Sequence, residues 1–365
     1  MIIKGGKVFT EKCVFEEKDV YIENGIFVSS IDDVTDKSIF DAAGLLVLPG
    51  LVDVHTHGSF GYEFCDADEE GMYITGKYLK EHGITSYCPT SMTLPGEELI
   101  KIFSTAKLDY GKECARIVGV NMEGPFVSSS KRGAQEEKYI IKADMDFFND
   151  MNNACDGKIK LVTVAPEEDG AMEFIKEASK ITNISLGHSN AGYDTVMEAM
   201  ANGANHITHM FNAMTTFSHR DSAFIGAAFD SNNCYAELIS DGYHIHPSVI
   251  RMAFKMLGER VVLISDSMKA TGLENGVYNL GGQKVFVKDC KATLKDGVLA
   301  GSATNLFDCM KKAISFGIPI ESAIYAATAA PAKSIGVFEK VGSITPGKFA
   351  DIVITDKNLN MIKVL

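Results

Sequence analysis

The 365-residue chain has no uninterrupted apolar run of about 20 residues, the length that a membrane-spanning helix needs, so no such helix is expected. It has no excess of positive charge. Its 35 Lys and Arg face 48 Asp and Glu, a formal net charge of −13, which argues against a nucleic-acid partner or an anionic-membrane surface. A local cationic pocket for one small anion stays open. The N-terminus, Met1-Ile2-Ile3-Lys4-Gly5, lacks the basic region and apolar core of a secretory signal, so a cytoplasmic location is expected. Eight cysteines are scattered without a C-x-x-C pair, which points to free thiols; Cys65 alone lies near a metal-suited motif. Repeats and low-complexity segments are also missing. What is there is ordinary globular material, 46% hydrophobic and 23% charged, enough for one large domain and one small one.

The stretch Leu51 to Gly58, LVDVHTHG, organises the rest. It follows a turn at Leu48-Pro49-Gly50 and delivers His55 and His57 one residue apart. In a strand, residues i and i+2 share a face, so both imidazoles aim at one spot and form a pincer for a divalent cation. Residues 1–50 read as short strands, with a hairpin turn at Glu23-Asn24-Gly25. The C-terminal end has the same character, with strands expected over Val341–Ile344 and Ala350–Ile354 about a Thr345-Pro346-Gly347-Lys348 turn. The two ends, 1–50 and 342–365, are therefore expected to build one small β-sandwich domain around an inserted domain, 51–341.

Within the insertion, strands are expected over 51–57, 84–89, 116–122, 159–164, 182–187, 204–209, 234–240 and 261–266. Helices are expected between them, among them Glu69–Lys80, Gly96–Lys107, Met172–Lys180, Tyr193–Ala201 and Pro247–Leu257. This alternation fits an α/β fold, a (β/α)8 TIM-like barrel, or an open doubly wound sheet. The polar residues favour the barrel, because they gather where barrel strands end. Glu123 follows the third expected strand, His188 the fifth, His209 the sixth and Asp266 the eighth, while His244 lies in the segment after the seventh. Imidazoles and carboxylates in such a set suit Zn²⁺, Fe²⁺ and similar ions. Residues 275–301 read as a β-hairpin insertion. His82 reads as a helix cap, and His206, His219 and His246 as structural residues or as supports behind the ligands.

The pieces VDVHTHG, NMEGPF, LGHS, THMFNAM, DGYHIHP and ISDSM, with the VGSITPGKFADIVI ending, resemble the amidohydrolase superfamily over nearly the whole chain. The resemblance implies hydrolysis of the acetamide of N-acetyl-D-glucosamine 6-phosphate to D-glucosamine 6-phosphate and acetate. It implies Glu123, His188 and His209 as ligands of a principal metal and His55 and His57 as a second-metal pair, with Zn²⁺ or Fe²⁺ in one or two copies. It implies Asp266 as the catalytic acid–base and His244 as a group near the substrate amide. Asn212, Ala213 and Arg220 match residues around the sugar phosphate, and Ala134 lies in a further substrate loop. That loop reads Gly133-Ala134-Gln135 where relatives have Gly-x-His, a departure from the pattern. Relatives of this kind are commonly homodimers. Another amidohydrolase, such as a D-amino-acid deacylase or a cyclic amidase, is the nearest alternative; a dead scaffold barrel is the remote one. No lysine occupies the strand-four position that carbamylated relatives use, where Val162 to Pro166 offers only Thr163 as a polar side chain, and a neutral substrate gives no use for Arg220.

Overall fold

The computed structural model describes every residue, Met1–Leu365. Its centre is a set of eight parallel strands: β1 (Leu51–Thr56), β2 (Ile84–Pro89), β3 (Val120–Met122), β4 (Ile159–Val164), β5 (Asn183–Leu186), β6 (Ala204–Ile207), β7 (Tyr235–Ile239) and β8 (Val261–Ile264). Strands β3 to β8 pair in order as one six-stranded parallel half-barrel, and β1 pairs with β2 in a smaller sheet. Isolated parallel bridges, Thr90 to Asn121 and Thr56 to Ser267, run between the two sheets. Strands β1, β2, β3 and β8 are buried from end to end and the other four at all but one residue each, as expected when helices cover a parallel sheet.

Helices fall where the 3.6-residue periodicity puts them. α1 (Glu69–Glu81) starts at Asp68, whose carboxylate caps the Glu70 N–H, and ends at His82, whose ring lies 2.7 Å from the Tyr78 carbonyl. Tyr193–Ala201 and Pro247–Leu257 are helices over the expected residues, the second with Pro at its first turn and His246 as its N-cap.

Three local expectations are corrected. The strand over 116–122 breaks into Arg116–Ile117 and Val120–Met122, because Gly119 between them passes so close to Lys160 that a Cβ would meet its side chain at 2.3 Å. Residues 275–301 form three antiparallel strands (Gly276–Leu280, Gln283–Lys288, Lys291–Thr293) rather than a single hairpin. Val341–Ile344 is not a strand. Gly342 adopts φ 86°, and a Cβ there would meet the Thr328 carbonyl at 2.9 Å, so the backbone turns around a helix instead of extending.

Both chain ends nevertheless meet in one seven-stranded sheet. Leu46–Pro49 pairs with Ile352–Thr355 on one side and with Ile2–Phe9 on the other. This sheet has its own apolar cluster, including Ile3, Val8, Val47 and Ile354, separate from the large one around the parallel strands. The Asn24-Gly25 turn has positive φ at both central residues, as a tight hairpin requires.

The loops after β1 and β8 are tied by a buried charge pair. Lys269 lies 3.5 Å from Glu63 and 3.2 Å from Asp66. Burial raises the Glu63 carboxyl to about 7, although Lys269 opposes the rise. The folded protein then holds a proton that the unfolded chain, titrating near 4.5, releases earlier. Stability from this group is therefore present at low pH and lost as pH rises from about 4.5 to about 7. Glu63→Gln should remove that loss and be more stable than the parent at pH 8 by on the order of 2 kcal/mol, with no such gain at pH 4.5. Denaturant unfolding at the two pH values checks this; an equal difference at both would sink it.

Candidate metal and active site

Every candidate ligand sits at or just past the C-terminal end of a parallel strand. His55 is in β1 and His57 one residue beyond it; Glu123 follows β3 directly; His188, His209 and Asp266 stand two residues past β5, β6 and β8. The chain leaves the strands in conformations that L-residues avoid. His188 has φ 48°, His209 28°, Ala213 48° and Asp266 48°. Such strain costs on the order of 1–3 kcal/mol per residue and persists only where surrounding contacts fix it.

The side chains form two groups of three: Glu123 with His188 and His209, and His55 with His57 and Asp266. In the first, Glu123 Oε1 lies 3.0 Å from His188 Nε2 and 3.1 Å from His209 Nε2, and the two nitrogens are 3.0 Å apart. In the second, Asp266 Oδ1 lies 3.2 Å from His57 Nε2 and 3.6 Å from His55 Nε2. Glu123 joins the groups, its Oε2 lying 3.5 Å from His57 Nε2. Cys65 belongs to neither.

The ring contacts show that these donors fit a cation. His188 Nδ1 is 3.0 Å from the Lys131 carbonyl and His57 Nδ1 is 3.2 Å from the Thr90 carbonyl. A carbonyl only accepts, so each Nδ1 carries its hydrogen and a neutral ring turns a bare lone pair on Nε2 towards carboxylate oxygen. His55 is set the same way, with Nδ1 2.9 Å from Glu237 Oε2 and an Nε2 that has no hydrogen-bond partner. Lone pairs facing anions repel unless a cation lies between them. Donor atoms about 3 Å apart suit neighbours on one ion with bonds of about 2.0–2.2 Å. The carboxylates also set a demand for positive charge here. Burial works against a charged His55, yet Glu237 and Glu123 outweigh it and, with no ion present, push the ring up to about 10, holding a proton that a bound cation would replace. Burial likewise opposes ionisation of Glu123 and Asp266, but the surrounding histidines hold both below the usual carboxylate range.

Around this centre is a cavity of about 330 Å³. Asp266, His244, Asn212, Ala213 and Ala134 all line it. His244 gives Nδ1 to Asp241 at 2.7 Å. The three-stranded insertion supplies an apolar wall through Leu280, Val298 and Leu299, and is latched to the Ala134 carbonyl by Gln283 at 2.7 Å. Arg220 is the exception. It is exposed, makes no ion pair and does not line the cavity.

Sequence reasoning missed three polar residues here. Glu237, fully buried in β7, accepts from His55 and from the His209 N–H at 2.9 Å. Its signal was a lone carboxylate in the apolar run Tyr-Ala-Glu-Leu-Ile, which has to be partnered if buried. Gln135 donates to Glu123 Oε2 at 2.8 Å and accepts from the Thr93 N–H at 2.7 Å, so the departing loop residue still touches the centre. Asp241, which orients His244, was visible only as part of a motif.

A family model described as the amidohydrolase family matches residues 46–365. The N-acetylglucosamine-6-phosphate deacetylase of Bacillus subtilis is 34% identical over 374 residues, covering 99% of this chain and 94% of its own. A crystal structure of the Pasteurella multocida enzyme of that name matches with a TM-score of 0.92 at 28% identity, over 100% of this chain and 97% of the other. A Mycobacterium smegmatis enzyme of that name, a mutant solved in complex with N-acetyl-D-glucosamine-6-phosphate, also matches at 0.92 with 27% identity, over 100% and 97% of the two chains.

Replacing His188 or His209 with Ala should remove divalent metal from the purified protein, measured by elemental analysis. Normal stoichiometry in both variants would exclude the first group as a metal site. Glu237→Gln leaves the donors in place but loosens their orientation, so metal affinity should fall about 10–100-fold in competition with a chelator.

Proposed function

This chain belongs to the amidohydrolase family, and within it to the N-acetylglucosamine-6-phosphate deacetylases, and on that premise we propose that it hydrolyses N-acetyl-D-glucosamine 6-phosphate to D-glucosamine 6-phosphate and acetate. The observation that carries the proposal is the buried convergence of Glu123, His188, His209, His55, His57 and Asp266 on one cavity. The site suits a divalent metal; Zn²⁺ or Fe²⁺ is proposed, with Glu123, His188 and His209 as the principal ligands and His55 and His57 as ligands of a second ion. An ion held there would supply Lewis acidity, lowering the pKa of a bound water and polarising the amide carbonyl.

The residues around it do the rest. Asp266, held ionised by its histidine neighbours, takes a proton from the attacking water and returns it to the departing nitrogen. His244, with Nδ1 committed to Asp241, turns Nε2 towards the amide oxygen as charge develops there. Asn212, Ala213 and Ala134 line the sugar-phosphate side. Arg220 holds the phosphate, and because it lies outside its own cavity it is proposed to do so in the neighbouring subunit of a homodimer. The wider proposal includes a cytoplasmic location, one closed (β/α)8 barrel over 51–341 and a small β-sandwich from 1–50 and 342–365. The bridges between the two parallel sheets and the separate apolar cluster of the terminal sheet support the two architectural parts. No helix is long and apolar enough to cross a membrane.

Acetate release from a panel of N-acetyl amino sugars, with and without a 6-phosphate, tests the activity. Asp266→Asn should bind substrate but lose about 10²-fold or more in kcat. Arg220→Ala should lower kcat/KM for the phosphorylated sugar about 10–100-fold and leave the unphosphorylated one almost unchanged. Mixing Arg220→Ala with Asp266→Asn protein should restore part of the activity if the arginine serves its neighbour. No recovery in verified mixed dimers would return Arg220 to its own chain.

A further inference from the structure

A second cavity, of about 670 Å³, lies at the opposite ends of the strands. Its walls come from the N-terminal ends of β2 and β4, the segment after Gly96–Thr105, and the edge of the terminal sheet at Phe349–Asp351. In a chain of net charge −13, this cleft gathers Lys80, Lys107, Lys112, Arg116 and Lys158 against the two side-chain carboxylates of Asp109 and Asp351. Arg116 meets Asp351 at 3.7 Å, and none of the four lysines makes an ion pair.

We propose that this cleft is a second ligand site that takes a small organic phosphate, remote from the metal centre and independent of the deacetylase proposal.

Three of the five cations, Lys80, Lys158 and Arg116, are held in place ahead of any ligand. Lys80 Nζ donates to the Lys112 carbonyl at 3.0 Å, and Lys158 Nζ to the Ala106 carbonyl at 2.8 Å. Each ammonium has three donors, so capacity is left for an anion. The Arg116 guanidinium stacks 3.9 Å above the Phe349 ring, which fixes a planar fork of the kind that matches phosphate. Burial lowers the Lys80 ammonium, with Asp351 opposing the shift and Arg116 adding to it. Two buried polar atoms on the wall lack partners, Asp351 Oδ2 and Thr85 Oγ1, and suit the hydroxyls of a ligand's organic part. Ile26, Leu108 and Ile117 supply apolar surface beside them. A dianionic ester with a hydroxylated body meets all three requirements, and the cleft has about twice the volume of the cavity at the metal centre. A ligand here touches both the terminal sheet and the helical layer, so it should stabilise their association.

Calorimetric titration and thermal unfolding of the metal-loaded protein test the site with three probes: inorganic phosphate, glucose 6-phosphate and adenosine 5′-monophosphate. Comparing the last two distinguishes a sugar from a nucleotide source. At least one ester should bind and raise the unfolding midpoint. Lys107→Gln with Lys112→Gln should weaken that binding about 10-fold or more while leaving kcat/KM for acetate release unchanged. Lys80→Gln with Lys158→Gln should do the same. Absence of binding by all three probes at millimolar concentration, or binding that the Lys107 and Lys112 changes leave intact, would overturn the proposal.

Discussion

The structure depends on two buried carboxylates. Glu123 and Glu237 are almost completely removed from water, where an uncompensated charge costs several kcal/mol. Neither has a lysine or arginine to meet it. Imidazoles stand against both instead, and His55, His57 and His188 are turned so that their Nδ1 hydrogens go to carbonyls or to Glu237 while Nε2 faces inward. Such an arrangement is strained without a cation and balanced with one. It makes the centre of the molecule a metal site by electrostatics before any chemistry is considered.

Glu237 extends this constraint through the fold. One oxygen takes a ring hydrogen from β1 and a backbone hydrogen from the turn after β6, and the carboxylate itself stands in β7. Strands far apart in sequence are thereby locked at one height. The left-handed backbone at His188, His209 and Asp266 is tolerated because such contacts over-determine it. Gln135 does similar work from the loop side, holding the Glu123 oxygen that faces His57.

The two ends of the parallel strands are electrically different. The C-terminal ends carry the carboxylates and histidines and take an ion of positive charge. The N-terminal ends carry unpaired lysines in a chain that is otherwise acidic. A net charge of −13 repels a sugar phosphate at long range, so any phosphate site here has to act locally, through fixed cations with matched geometry.

The sequence by itself determined the order of the parallel strands, the approximate placing of the helices between them and the residues that converge at the centre. Period-2 and period-3.6 patterns are local, and a histidine or carboxylate just past an apolar strand is visible in one dimension. Tyr193–Ala201 and Pro247–Leu257 were legible for that reason, as were His55, Glu123, His188, His209 and Asp266. Tertiary structure decided what depends on two distant segments touching. The break at Gly119 follows from Lys160, the turn at Gly342 from Thr328 and Ala332, and the importance of Glu237 from rings that reach it across the sheet. The place of Arg220 outside its own cavity belongs to the same class. A side chain's reach is set by the packing of the whole chain, and residue spacing along the sequence carries no information about it.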